Sequence, residues 1–95
     1  MAFGQISGAT GELRAGGRTL ARLVNWVAVR NGEADTWTIG GGLVDGNPIW
    51  LAGAEAMDVC LDVGAQQWRW RRVPRADIDL NGDSISVLAR GRFER

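Results

Sequence analysis

The chain has 95 residues, of which 45% are hydrophobic and 23% charged, and 11 basic residues balance 11 acidic ones. This length predicts one domain over residues 1–95 with one modest core, and the zero net charge excludes a general attraction to nucleic acid or to anionic membranes. No apolar run approaches the ~18 residues of a membrane span, and no signal-peptide pattern opens the sequence. We therefore expect a soluble protein without membrane insertion, used without export.

Glycine turns predict β-structure in the first quarter of the chain. The 14 glycines are scattered, as is typical of turns between strands. After a short strand around residues 3–7, the dipeptide Gly16-Gly17 suits a two-residue primed turn, in which both positions need positive φ. Such a turn pairs Leu13 with Leu20 and Arg14 with Thr19.

The segment 19–29 fits two periodicities. Leu20, Leu23, Val24 and Val27 have helical spacing, whereas alternate residues also form the two faces of a strand. Entry from a glycine hairpin and the β-branched content favour a long strand, bulged or buried on both sides, over a helix.

The middle of the chain is the least regular part. Residues 31–35 predict a polar turn, and residues 36–39 a short strand that Gly40-Gly41-Gly42 ends. We expect an irregular, Gly-rich loop over residues 40–56, with 49–52 as a short strand or turn. Loops of this length are often functional.

The most regular alternation lies in residues 57–63 and 66–73, which predict the central hairpin. On an extended strand Trp68, Trp70 and Arg72 share one face, and Arg69, Arg71 and Val73 the other. The loop between the two strands must contain an even number of residues to place Leu61 and Val59 beside the tryptophans.

Two even loops satisfy the register of this hairpin. A loop of Gly64-Ala65 pairs Leu61 with Trp68 and Asp58 with Arg71, and a loop of residues 64–67 pairs Val63 with Trp68 and Asp62 with Arg69. Either loop backs a tryptophan-rich apolar face with an Asp/Arg face.

A second hairpin is predicted at Asn81-Gly82, which lies between two alternating segments. It pairs Leu80 with Asp83 and Ile78 with Ile85, and residues 85, 87 and 89 share an apolar face. The whole pattern predicts an all-β protein, a small antiparallel barrel or sandwich of about six to eight short strands joined by tight glycine turns.

Catalytic, metal and cofactor sites have little support in the sequence. Residues 77–83 resemble the start of an EF-hand loop, but Leu88 stands where the closing bidentate Glu is required, so no metal is expected. There is no histidine to act as a base near neutral pH. We expect no catalytic residues, no cofactor and no enzymatic activity.

Tryptophan, arginine and aspartate mark the candidate binding surfaces. Trp and Arg are enriched at the energetic centres of protein interfaces. The candidate interface residues are Trp37, Trp50, Arg69, Arg71, Asp58 and Asp62. Aromatic and basic residues also alternate in platforms that bind single-stranded nucleic acid. That alternative, an OB-like module, uses Trp68, Trp70, Arg69, Arg71 and Arg72.

Two segments carry a resemblance to a known class of proteins. Residues 11–23, a glycine-turn hairpin followed by Trp26, and residues 80–93, an alternating strand ending in Gly91 and Phe93, resemble the small β-barrel structural proteins of long-tailed bacteriophages. The chain is shorter than the usual tail-tube subunits, and residues 30–56 depart from the pattern. The resemblance implies a reduced tail or baseplate component or a capsid decoration protein.

What this resemblance implies for function is assembly without catalysis. The partners would be other virion proteins and copies of the same chain, with no specific nucleic acid. The protein would be made in the host cytoplasm and located in the virion. A third alternative, a small phage-encoded inhibitor of a host protein, would use the same interface residues.

Overall fold

The computed structural model describes residues 4–32, 35–91 and 93–94. Seven strands and one short helix account for most of this part. They are β1 (Gln5–Ala15), β2 (Arg18–Asn31), β3 (Thr36–Val44), α1 (Pro48–Gly53), β4 (Ala56–Val63), β5 (Gln66–Pro74), β6 (Ile78–Asn81) and β7 (Ser84–Arg90), with a 3-10 turn, Arg75–Asp77, between β5 and β6.

The strands form a single antiparallel sheet in the order β5-β4-β1-β2-β3-β7-β6. The sheet curls into a barrel-like shape, which confirms the predicted all-β class and strand number. Its two edge strands, β5 and β6, are joined by the three residues of the 3-10 turn. In addition, Arg69 of β5 bridges to Glu94, which follows β7. The two edges of the sheet are thereby brought close together.

The Gly16-Gly17 turn is confirmed, because both glycines have positive φ and Arg14 pairs with Thr19. The predicted pair of Leu13 with Leu20 is wrong. A register shift makes Ala21 the partner of Leu13, so Leu20 is an extra residue in β2. Both Leu20 and Ala21 are buried, which explains why the bulge is stable.

The segment 19–29 is a strand, as the sequence favoured, and it contains a second bulge. Asn25 has φ of 51°, and Asn25 and Trp26 together lie opposite Gly41 of β3. The bulge shifts the alternation by one residue. As a result Leu23 and Trp26 both face the core, whereas an uninterrupted strand would place them on opposite faces.

The predicted end of β3 at the three glycines is wrong, since β3 continues through them to Val44. The glycines allow a close approach of the neighbouring strand. A Cβ at Gly41 would lie 3.1 Å from the Trp26 Cα, and a Cβ at Gly8 of β1 would lie 2.5 Å from the Trp26 indole. Glycine in these strands therefore makes room for Trp26.

The expected irregular loop over residues 40–56 is also wrong at its centre. Residues 48–53 form the helix α1, which begins with a good N-cap: the Asn47 side chain accepts hydrogen bonds from the backbone N–H groups of Ile49 and Trp50. Pro48 occupies the first helical position, where its missing N–H costs nothing.

The expected turn at 31–35 includes residues 33 and 34, and the expected first strand begins at residue 3; these residues lie outside the described ones.

The central hairpin has the two-residue loop Gly64-Ala65, because Leu61 pairs with Trp68 and Val63 with Gln66. The longer loop is therefore wrong. A bulge at the far end places Arg71 and Arg72 together opposite Asp58, with Arg72 at φ 54°. The bulge turns Val73 into the core and Arg72 outward, the reverse of the predicted faces.

The second hairpin is offset by one residue from its prediction. Asn81 pairs with Ser84 and Leu80 with Ile85, so Gly82 and Asp83 form the turn. Gly82 has φ of 60°. A turn with positive φ at its first central residue alone is type II′, the other common two-residue hairpin turn. The apolar face of β7 is confirmed, since residues 85, 87 and 89 are buried.

Candidate functional site

The candidate interface residue Trp37 lies in the core and not at the surface. Its side chain is buried, and its ring contacts the rings of Trp68, Trp70 and Phe93 at centroid distances of about 6 Å. The sheet as a whole is curled, and the buried indole of Trp37 on β3 meets the two tryptophan rings of β5. Trp37 is thus corrected from a candidate interface residue to a core residue.

The Asp/Arg face of the central hairpin is used mainly within the chain. Asp58 accepts a hydrogen bond from the backbone N–H of Arg72, and Asp62 accepts hydrogen bonds from Thr10 and Gln67. Arg71 forms an ion pair with Glu94, not with Asp58. At the bulge Arg71 shares the position opposite Asp58 with Arg72, and the group that binds the Asp58 carboxylate is the backbone N–H of Arg72.

The aromatic platform of the nucleic-acid alternative is likewise internal. Trp70 is 2% exposed, and the half-buried ring of Trp68 lies stacked on Phe93. Trp70 is therefore a core residue, as expected for the apolar face of the central hairpin, and the exposed position that the nucleic-acid alternative requires for it is wrong. Arg71 and Arg72 are exposed and Arg69 is half-buried, but binding by stacking needs exposed aromatic faces beside the arginines.

Among the described residues, the two most exposed large apolar side chains lie on α1. Ile49 is 81% exposed and Trp50 41% exposed, whereas Leu51 is buried and fixes the helix to the barrel. The guanidinium of Arg18, at the start of β2, lies 5.0 Å from the centroid of the Trp50 ring, a cation–π contact. We call Ile49, Trp50 and Arg18 the α1 patch.

A shallow groove runs beside the α1 patch, between α1 and the Gly16-Gly17 turn. Its walls include Ala15, Leu20 and Ala54 in addition to the patch residues. These side chains are aliphatic, and the groove therefore offers an apolar surface that is bordered by one arginine. Such a surface suits an apolar side chain of another protein.

Of the α1 patch, Trp50 was among the candidate interface residues predicted from the sequence, whereas Ile49 and Arg18 were not. A signal for α1 was present, because Asn47-Pro48 is a typical helix start, with an N-cap residue followed by proline. The Gly-rich composition of this part of the chain predicted a loop instead. The position of Arg18 over Trp50 could not be inferred, since the two residues are 32 positions apart and meet only through the hydrogen bond from Asn47 N–H to the Leu20 carbonyl and the docking of Leu51.

A larger cleft of about 840 Å³ opens on the other side of α1. Aliphatic side chains such as Val44, Leu51 and Leu80 line it, together with Arg75, whose guanidinium donates a hydrogen bond to the Ile78 carbonyl. Asp45 and Asp83 also line this cleft. Val44 is an exposed aliphatic residue outside the α1 patch and serves below for comparison with Ile49.

The titratable side chains do not converge on one site. Among the described residues, no three Cys, Asp or Glu side chains lie close enough together to hold a metal ion. Asp77, the first residue of the EF-hand-like segment, pairs with Arg90. Burial raises the pKa of the Cys60 thiol above its ordinary value, although Arg69 opposes this change. In the described part of the chain, no helix has the length and apolar character of a membrane span.

Comparisons with known proteins add no relative. No protein family, no curated protein and no solved structure matches the chain.

Proposed function

We propose that the chain is a non-enzymatic structural component of a bacteriophage virion, in the tail, the baseplate or on the capsid, and that it acts by protein–protein assembly. The observation that carries the assembly role is the 81% exposure of Ile49 beside the half-exposed Trp50 on a firmly capped helix. Large apolar side chains that stand together on a surface mark interaction sites more often than isolated ones do.

The chemistry of the remaining surface supports binding rather than catalysis. The sequence has no histidine. Several acidic side chains form ion pairs with arginines of the same chain, among them Glu12, Asp77 and Glu94. The bacteriophage assignment rests on the resemblance of residues 11–23 and 80–93 to small virion β-barrels, and the barrel-like fold is consistent with that class.

The test is the composition of purified particles. Phage particles that are produced from a genome carrying this gene are purified by density gradient, and the chain is sought by peptide mass spectrometry. We expect it as a stoichiometric component. Its absence from intact particles would overturn the proposal, and capture of one host protein by the same chain would then favour an inhibitor.

Complementation tests whether the α1 patch is needed for incorporation into particles. A gene deletion is complemented with the wild type, with Ile49→Asp or with Val44→Asp. We expect Ile49→Asp to be lost from particles and Val44→Asp to be incorporated, because both add one charge at an exposed aliphatic residue but only Ile49 lies in the patch. Equal incorporation of the two variants would contradict a role of α1 in assembly.

A further inference from the structure

The α1 patch and the groove beside it place a projecting side chain and a depression on one face of the protein. Ile49 projects into solvent, and the groove lined by Ala15, Leu20 and Ala54 lies directly beside it. A two-fold interface requires a surface that is complementary to itself, because residue i of one copy meets residue j of the other and j meets i. A projection next to an apolar groove satisfies this requirement.

The charges around the groove are also self-complementary. Arg18 borders the groove at the start of β2, and Glu55 borders an adjoining depression just after α1, which Asp58 and Arg72 also line. Neither Arg18 nor Glu55 has an ion-pair partner within 4.0 Å among the described residues. In a two-fold dimer through this face, an Arg18 that faces the Glu55 of the other copy would give two opposite-charge contacts.

We propose that the α1 patch binds a second copy of the same chain about a two-fold axis, with Ile49 inserted in the groove of the partner and Arg18 facing the partner's Glu55. This inference rests on the proposed function. It identifies the partner at the proposed assembly surface as a second copy of the same chain. The apolar insertion supplies the affinity, and the charge pairs fix the orientation of the two copies.

The size of the patch sets the expected strength of the dimer. A standard interface covers roughly 800 Å² on each partner, and the whole surface of the chain is 5838 Å². A short helix with its flanking groove is smaller than such an interface. We therefore expect a dissociation constant on the order of micromolar.

The first experiment measures mass against concentration. Sedimentation equilibrium of the purified chain is recorded over a concentration series, for the wild type, Ile49→Asp and Val44→Asp. We expect a monomer–dimer equilibrium whose dissociation constant rises about 30-fold or more in Ile49→Asp, the loss typical of a central interface residue, and stays unchanged in Val44→Asp. A wild type that remains monomeric at the highest concentration, or an Ile49→Asp variant that dimerises normally, would overturn the proposal.

The second experiment tests the two-fold geometry by charge exchange. Arg18→Glu and Glu55→Arg are each expected to weaken the dimer at low salt, because like charges then meet at both contacts. Mixing the two variants should restore association, since one copy now carries two acidic groups and the other two basic ones. A mixture that associates no better than either variant alone would refute the reciprocal contact. Far-ultraviolet circular dichroism confirms that each variant is folded.

The two proposals fail in different ways. A chain that is monomeric in solution but present in particles would refute the homodimer and leave the virion role intact. A chain that dimerises through Ile49 but is absent from particles would refute the virion role alone.

Discussion

The ring of Trp68 lies parallel to the ring of Phe93, with 3.9 Å between the centroids and 8° between the ring planes. Phe93 also contacts Trp70 with its ring at a steep angle. The following residue, Glu94, exchanges two backbone hydrogen bonds with Arg69, of 2.8 and 2.7 Å. The segment after β7 thereby ties that strand to β5 and holds the two edges of the curled sheet near each other.

Phe93→Ala should lower the free energy of unfolding by about 2 kcal/mol, because it removes a half-buried ring together with its aromatic contacts. Glu94→Ala is the matched control. It keeps both backbone hydrogen bonds and loses only an ion pair between side chains that are 61% and 57% exposed, so we expect a loss below about 1 kcal/mol. Urea unfolding followed by tryptophan fluorescence measures both, and equal losses would contradict the role of the ring.

Trp70→Ala should cost about 3–5 kcal/mol, because truncation of a side chain that is 2% exposed leaves a cavity in the aromatic cluster. For a domain whose total stability is about 5–15 kcal/mol, this loss removes a large part. Arg71→Ala, on the opposite face of the same strand, should change the stability by less than about 1 kcal/mol. Thermal melting of the two variants distinguishes the faces; a stable Trp70→Ala protein would show that this indole is not part of the core.

Gly41→Ala and Gly40→Ala form a matched pair in β3. A Cβ at Gly41 would lie 3.1 Å from the backbone of Trp26, whereas the nearest atom to a Cβ at Gly40 is 3.9 Å away. We expect Gly41→Ala to cost about 1–3 kcal/mol through overpacking, and Gly40→Ala to be neutral or slightly stabilising, since alanine restricts the unfolded chain. Denaturant melts that rank the two variants in the opposite order would mean that Trp26 does not press against β3.

Cys60 should make the fold less stable in alkaline solution. Burial raises the pKa of its thiol above the ordinary value of 9.0, so the unfolded chain releases this proton at a lower pH than the folded one. Stability is therefore unaffected below about pH 8 and falls as the pH rises through and above the ordinary thiol pKa. Cys60→Ala should abolish this part of the pH dependence in denaturant melts. A thiol reagent should modify native Cys60 far more slowly than the unfolded chain, and equal rates would contradict its burial.

Local features of the sequence predicted the tight turns well. The Gly16-Gly17 turn was identified because the requirement for positive φ acts over a few positions, and the parity of alternating residues reduced the loop of the central hairpin to two even lengths, of which the structure has Gly64-Ala65. The turn near Gly82 was displaced by one residue, because Asn81-Gly82 and Gly82-Asp83 both suit two-residue turns. The pairing of β7 with the longer strand β3 also constrains that register.

Strand alternation and turn chemistry are local properties of the chain, and they suffice to predict the all-β class, the hairpins and the apolar face of β7. The places where the alternation breaks depend on tertiary packing. The bulges at Leu20, Asn25 and Arg72 each bring an additional side chain into the core or turn one out, so their positions follow from packing in the folded barrel and not from the local alternation of residues. The same packing buries Trp37 and leaves Ile49 and Trp50 outside, because the barrel accommodates one face of α1 and leaves the other in solvent.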